Sequence, residues 1–213
     1  FELLPFSTAF SGFGLALVSM FAIAGLSLIA LLVAWLKRAS AWYASAWKAF
    51  VVGVIPVLGV VAMVGPEGFK VPAIHDISTD LENPPEFVAA RTERKANENT
   101  LDHEGAELAA LQRGAYPDLK GLELAVSPAE AFQRAEQACK DLGWRIIRAD
   151  KGENVLEAVD ESKVFGFKDD VIIRILPSEK GSHVDVRSVS RVGVSDLGAN
   201  AKRIRRYLAA LGA

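Results

Sequence analysis

Apolar residues dominate the first third of the chain, and charged residues are spread through the remainder. Residues 13–36 carry no charge, and residues 47–65 carry only Lys48, near their start. A helix of about 20 residues crosses the hydrocarbon core of a bilayer, and backbone polar groups in lipid must hydrogen-bond internally. The pattern therefore predicts a transmembrane helical hairpin over residues 1–65, with Pro56 inside its shorter second span.

The cations of this region predict the orientation of the hairpin. Lys37, Arg38 and Lys48 lie between the uncharged cores of the two spans, and Lys and Arg near span ends stay on the cytoplasmic side. Amphipathic aromatic rings favour the headgroup layer, and four surround the same loop: Trp35, Trp42, Tyr43 and Trp47. The sequence thus predicts a multi-pass protein of the bacterial inner (cytoplasmic) membrane, with a soluble C-terminal domain in the periplasm.

Small residues four positions apart predict close packing of the first span. The pairs are Gly12 with Ala16 and Ala30 with Ala34, and this spacing lets another helix approach closely. The pairs fit either chance in a helix rich in Ala and Gly or docking against another membrane-protein subunit. Neither uncharged core holds an ionisable side chain, which ion pathways almost always use, so transport by the hairpin alone is not expected.

Residues 66–121 are predicted to form an extended loop followed by a polar linker, because prolines interrupt the first part. His75, Asp76 and Asp80 supply a compact cluster of possible metal ligands. Zinc usually needs more nitrogen or sulfur donors, so neither a metal nor a cofactor is predicted. The side chains fit turn caps or a contact with a ligand or partner. The later part is expected to be a solvated helical arm with three spaced leucines: Leu101, Leu108 and Leu111.

Residues 122–213 show the mixture of elements typical of an α+β domain. A strand at 122–126 precedes a helix capped by Ser127, with Pro128 at its first position. A last helix is expected to begin at Ser195 as N-cap, with Leu197 first in its buried stripe and its cations mainly on the solvated side. The four strands between the helices are predicted at 144–149, 154–158, 170–176 and 183–191.

These elements predict a largely antiparallel β-sheet with both helices covering one face and the proline-rich loop across the other. Alternation along the last two strands separates apolar from charged positions. A turn near residues 178–181 sets Arg174 opposite Asp185, with Asp170 diagonal to Arg187. Opposite charges paired across a sheet contribute about 0.2–1 kcal/mol each, and a slip by one residue would bury them in the core.

Several strings of the sequence resemble an uncharacterised bacterial and plastid family, domain-of-unknown-function family 1499. They are IHDISTD with ENPPEF (residues 74–87), AYPDL (115–119), VFGFKDDVIIRI (164–175) and VDVRSVSRVGVSDLGANAKRIRRYLAAL (184–211). The family has no established activity, so the resemblance implies no mechanism. It does imply that FGFKDD and SRVGVSDLG are hallmarks.

Composition narrows the possible functions. Binding to the phosphates of nucleic acid needs an excess of basic residues. The net charge of −2 shows no such excess, so nucleic acid is not an expected partner. The single cysteine, Cys139, cannot form an internal disulfide and lies on an apolar helix stripe, where a buried inert thiol is expected. No nucleophile elbow, phosphate loop, HExxH or cysteine-pair motif occurs.

The leading hypothesis is a non-catalytic accessory or assembly subunit of a larger membrane complex, in contact with lipid and other subunits. One alternative is a periplasmic module that binds a lipid or small ligand between sheet and helices. The other is a hydrolase that uses the loop of His75, Asp76 and Asp80. Ten charged or ionisable residues are candidates for binding a ligand or partner, and they fit a structural cluster of caps and ion pairs equally well. They are His75, Asp76, Asp80, Asp169, Asp170, Arg174, Asp185, Arg187, Arg191 and Asp196.

Overall fold

The chain forms two compact units, residues 1–69 and 70–213. We describe them from a computed structural model, which covers residues 6–65, 68, 70–163 and 166–212.

The first unit is a helical hairpin. Helix α1 covers Phe6–Leu36 and helix α2 covers Ser40–Val64, with Pro56 inside it. The segments Gly14–Leu36 and Ala41–Ala62 are long and apolar enough to cross a membrane, and only 11% and 6% of the residues in their most apolar windows are buried. A core helix of a soluble protein would bury far more of its apolar surface, so the hairpin is suited to a membrane. The turn between the helices is shorter than expected, because α2 begins at Ser40 instead of near residue 47.

The two helices approach each other most closely at Gly53. A Cβ atom there would lie 2.8 Å from the Met20 carbonyl oxygen and 2.9 Å from the Ala24 nitrogen. Only glycine fits such a contact without displacing backbone. Of the predicted small-residue pairs, Ala34 is buried within the hairpin and Ala30 is half-buried. The other pair, Gly12 and Ala16, is exposed.

The second unit contains six strands and four helices within the described residues. The strands are β1 (Asp76–Ser78), β2 (Leu122–Leu124), β3 (Arg145–Asp150), β4 (Val155–Glu161), β5 (Lys168–Ser178) and β6 (Gly181–Ser190). The helices are α3 (Ala89–Glu93), α4 (Ala106–Ala115), α5 (Pro128–Asp141) and α6 (Ala199–Leu211). The predicted α+β class is confirmed.

All strand pairs are antiparallel, in the order β1–β6–β5–β4–β3, and β2 pairs with β6 beyond the end of β1. The predicted register of the β5–β6 hairpin is confirmed, since Arg174 lies opposite Asp185 and Asp170 lies opposite Val189, diagonal to Arg187. The free edge of β1 is closed by Gln112 of α4. Its side chain accepts from the Ser78 amide (3.0 Å) and donates to the Ser78 carbonyl (2.6 Å), which blocks the pairing that an open edge invites.

Helices α5 and α6 cover one face of the sheet, as predicted. Ser127 accepts a hydrogen bond from the Glu130 amide and so caps α5, with Pro128 at its first position. Trp144 stacks on Tyr207 at a centroid distance of 5.2 Å. The main apolar core lies between this face and the helices, and it includes Phe132, Cys139, Val171, Ile173, Ile175, Val184, Val186 and Ile204.

Residues 80–103, which we call the strap, lie across the opposite face. Phe87 and Leu101 of the strap pack on Ile172 and Val189 of the sheet, in a second small core. The segment predicted as loop and linker over 66–121 is therefore largely part of the domain. It contributes β1, α3 and α4. Leu108 is buried in the main core as well, whereas Leu111 of α4 is 47% exposed.

The start of the last helix differs from the prediction. Helix α6 begins at Ala199, after Gly198 in the left-handed conformation (φ 84°). Asp196 caps it, because its carboxylate accepts the amides of Gly198 and Asn200, both at 2.8 Å. Leu197, itself at φ 51°, is thereby directed outward and is 41% exposed instead of buried.

Candidate functional site

The predicted polar residues are divided between the two faces of the sheet. Asp169 and Asp170 are neighbours on β5, and successive strand residues point to opposite faces. Asp169 therefore lies on the side of α6, whereas Asp170 lies beneath the strap. The two carboxylates cannot act as one acid–base pair.

Arg187 and Asp76 form a buried, bidentate ion pair under the strap. Arg187 Nε donates to Asp76 Oδ1 at 2.9 Å and Nη2 donates to Oδ2 at 2.7 Å, and the side chains are 1% and 6% exposed. The guanidinium also donates to the carbonyls of Pro85 (3.0 Å) and Leu101 (2.9 Å) and lies 5.4 Å from the Phe87 ring centroid. Its nitrogen donors are thus used to hold both ends of the strap on the sheet.

Asp170 lies between two arginines. Arg94 of the strap donates from Nε at 2.7 Å, and Arg191 donates from Nη2 at 2.8 Å and Nε at 3.2 Å. Arg191 also contacts Glu93 at 3.3 Å, and Arg145 pairs with the same carboxylate at 2.6 and 2.9 Å. The hydrogen bonds from Arg145 and then from Arg191 lower the pKa of Glu93 to about 2. The cluster is a closed network of ion pairs, with Asp170 fully buried.

A third group joins the beginning of the strap to the β5–β6 hairpin. Arg174 Nη2 donates to Asp80 at 2.8 Å and to Asp185 at 3.1 Å, and Thr79 Oγ1 donates to Asp185 at 2.9 Å. His183 lies between two carboxylates, with Nε2 at 3.3 Å from Asp185. Its Nδ1 lies 2.6 Å from the carboxylate of Glu123.

On the helix side, Asp169 pairs with Arg203 of α6, which also donates to Asp160 at 2.7 Å. Arg203 is only 8% exposed, so it does not lie on the solvated side of the helix as expected. Asn200 donates to the His75 carbonyl and to Ser190, both at 2.9 Å. Burial raises the pKa of Asp196, although the two amides that it accepts act in the opposite direction.

Sequence reasoning missed Glu157, which holds the strap from the middle of the sheet. It is fully buried on β4 and accepts the amides of Val88 and Ala89 at 3.0 Å and that of Ala90 at 2.9 Å. A carboxylate at a helix N-terminus satisfies donors that have no partner inside the helix. The signal in the sequence was weak, because an acidic residue between Leu156 and Ala158 looks like an ordinary solvent-facing strand position.

The geometry gives little support to a metal-assisted reaction at the predicted loop. Asp76 is paired with Arg187 and Asp80 with Arg174, so the two carboxylates serve different arginines. In the part of the chain that the structure describes, no group of three His, Cys, Asp or Glu side chains is arranged to hold a metal ion. Burial raises the pKa of Cys139 to about 12, which leaves the thiol protonated and unreactive at neutral pH.

These features define a class of α+β domain in which helices cover one face of an antiparallel sheet, an ion-paired strap covers the other, and two apolar helices precede it. The chain belongs to the family described as protein of unknown function (DUF1499), which matches residues 76–211. The match begins with the first residue of β1 and ends with the last residue of α6, so it includes the strap and both covered faces. No curated protein matches the sequence.

Proposed function

We propose that this protein is a non-catalytic, multi-pass protein of the bacterial inner membrane, whose periplasmic domain serves as an accessory or assembly subunit of a larger membrane complex. The observation that carries the proposal is the burial of the polar residues. Arg187 is 1% exposed and Asp170 is fully buried, and both hold the strap. A catalytic group must reach its substrate, and these side chains are occupied inside the fold.

The hairpin supports the membrane part of the proposal. The turn between its helices carries Lys37 and Arg38, which favour the cytoplasmic side. Around the turn, Trp35, Trp42 and Trp47 are 55–64% exposed, as expected of rings in a headgroup layer. With the turn inside, the domain that follows α2 lies in the periplasm.

The small residues of α1 offer a surface for a neighbouring subunit. Gly12 and Ala16 are exposed, and space around Gly12 is open within 4 Å of a Cβ. A helix of another subunit can approach closely over such residues. Because they take no part in the packing of the hairpin, their replacement leaves the hairpin itself intact.

The test is the mass of the intact particle released from native membranes in mild detergent. We expect a particle heavier than the 22.9 kDa chain with stoichiometric partners. The double variant Gly12→Leu/Ala16→Leu should release the chain from that particle, whereas Gly59→Leu, at a position with similarly open space, should not. A monomer in mild detergent contradicts the proposal, and protease-resistant residues 70–213 in right-side-out vesicles contradict its topology.

A further inference from the structure

One end of the soluble domain combines exposed aliphatic side chains with the point at which the chain arrives from the hairpin. We call it the tether end and define it by residues 70–75 and 191–198. Strand β1 starts opposite the end of β6, with Asp76 paired to Val189. The Asp196 amide donates to the Ile74 carbonyl at 3.1 Å, so the two segments lie side by side.

The loop at this end exposes apolar residues from a fixed backbone. Val194 is 77% exposed and Leu197 is 41% exposed. Asn99 holds the loop from the strap, donating to the Gly193 carbonyl at 2.8 Å, and Asp196 fixes the other side by capping α6. Leu197 has φ 51°, a conformation that is unfavourable for a side chain other than Gly, Asn or Asp. The backbone at Leu197 is therefore strained, and its side chain is directed outward in this conformation.

Two exposed lysines lie at the same end of the domain. Lys202 is exposed in the first turn of α6, where its amide donates to the Gly198 carbonyl. Lys168 lies beside the loop, because its carbonyl accepts the Arg191 amide at 3.1 Å, and its side chain is 40% exposed. An exposed carboxylate, Glu161, lies 3.9 Å from Lys168. Exposed aliphatic residues and exposed lysines at one end of a domain suit the surface of an anionic bilayer.

Chain length keeps this surface within reach of the membrane. Ile74 follows Val64, the last residue of α2, by ten residues. A fully extended chain spans at most about 3.5 Å per residue, so the tether end lies no further than about 35 Å along the chain from the end of α2. We propose that Val194 and Leu197 insert into the headgroup layer of the anionic bilayer that holds the hairpin, with Lys168 and Lys202 contacting lipid phosphates. This contact rests on the proposed membrane insertion of the hairpin and does not depend on the accessory-subunit role.

The test places a fluorophore on single introduced cysteines of the full-length protein in lipid nanodiscs. The native Cys139 is buried, so Val194→Cys and Leu197→Cys label selectively. Glu179→Cys is the matched control, because residue 179 is exposed in the β5–β6 turn, about 30 Å away along the ten residues of β6. Nitroxide groups on the lipid chains should quench the labels at 194 and 197 several-fold more than the label at 179.

The charge requirement is tested by nanodiscs with and without phosphatidylglycerol. Lys202→Glu should weaken the contact in anionic nanodiscs by at least about fivefold, the change expected for one cation near such a surface, and Lys180→Glu at the far end should not. Equal quenching at 179 and 194 overturns the proposal. A label at 194 that lipid does not quench, but that crosslinks to another protein in native membranes, also overturns it and assigns the surface to a protein partner.

Discussion

Replacement of Arg187 by Met is the sharpest test of the idea that the polar residues beneath the strap are structural. The change leaves the Asp76 carboxylate, 6% exposed, without its partner. It also removes donors from the carbonyls of Pro85 and Leu101. An uncompensated buried charge costs about 3–5 kcal/mol, a large part of the 5–15 kcal/mol that stabilises a typical domain. We therefore expect Arg187→Met to lower the free energy of unfolding by about 4 kcal/mol.

The double variant Asp76→Leu/Arg187→Met separates the cost of an orphaned charge from the value of the pair. An apolar replacement of a buried ion pair is often nearly neutral, so the double variant should recover about 2 kcal/mol relative to Arg187→Met alone. Arg134→Met is the matched control, because the ion pair of Arg134 with Glu130 is about half exposed and such pairs contribute about 0.5 kcal/mol or less.

The assay is urea unfolding of the full chain in mild detergent, followed by the fluorescence of Trp144. That tryptophan is buried against Tyr207, and the three tryptophans of the hairpin are replaced by Phe. Hydrogen exchange of the strap, residues 80–103, should also rise in Arg187→Met, since the arginine binds the carbonyls of Pro85 and Leu101 near its two ends. A loss below about 1 kcal/mol, or a double variant no more stable than the single one, would refute the structural role.

Three further changes have defined outcomes. Glu157→Gln removes a buried charge that accepts three amides and should cost about 1–3 kcal/mol, read by the same unfolding assay. Burial alone lowers the pKa of His183, but the carboxylates of Glu123 and Asp185 outweigh it and raise that pKa above 6.5. Protonated His183 therefore stabilises the fold, by at most about 1 kcal/mol at this partly exposed site. This stabilisation is present below pH 6.5 and is lost as the pH rises through the folded-state pKa. His183→Gln should remove this pH dependence of the free energy of unfolding. Gly53→Val should separate the helices of the hairpin, detected by spin-label distances between them, and Gly59→Val, where a Cβ meets no atom within 4 Å, should not.

Patterns among neighbouring residues predicted the elements whose structure depends on those neighbours. Alternation gave the β5–β6 hairpin and its register, because a slip would move charges such as Arg174 into the main core. The Ser127–Pro128 pair gave the start of α5. At α6 the helical spacing of Leu197 was misleading, since the Asp196 cap and the left-handed Gly198 start the helix later.

A proline-rich loop across this face was predicted, but the length of the strap and its contacts were not, because nearly all its anchors join distant parts of the chain. Arg187 and Asp76 are 111 residues apart, and Arg94 and Asp170 are 76 residues apart. The spacing of apolar and polar residues along the chain does not indicate contacts between residues so far apart. The strap also looks like a solvated linker, because it is polar and rich in proline near its start, and only the cover that it forms makes Glu157 a buried residue.

The contacts of the strings FGFKDD and SRVGVSDLG show which of their residues are used inside the fold. In FGFKDD, both aspartates bind buried arginines, Asp169 with Arg203 and Asp170 with Arg191. In SRVGVSDLG, Arg191 and Asp196 are likewise used inside the fold. These contacts give each of the four residues a structural role inside the fold. Val194 lies in the same string with 77% of its surface exposed, so the packing of the domain does not account for it. A functional surface is therefore better sought at Val194 than among the charged residues around it.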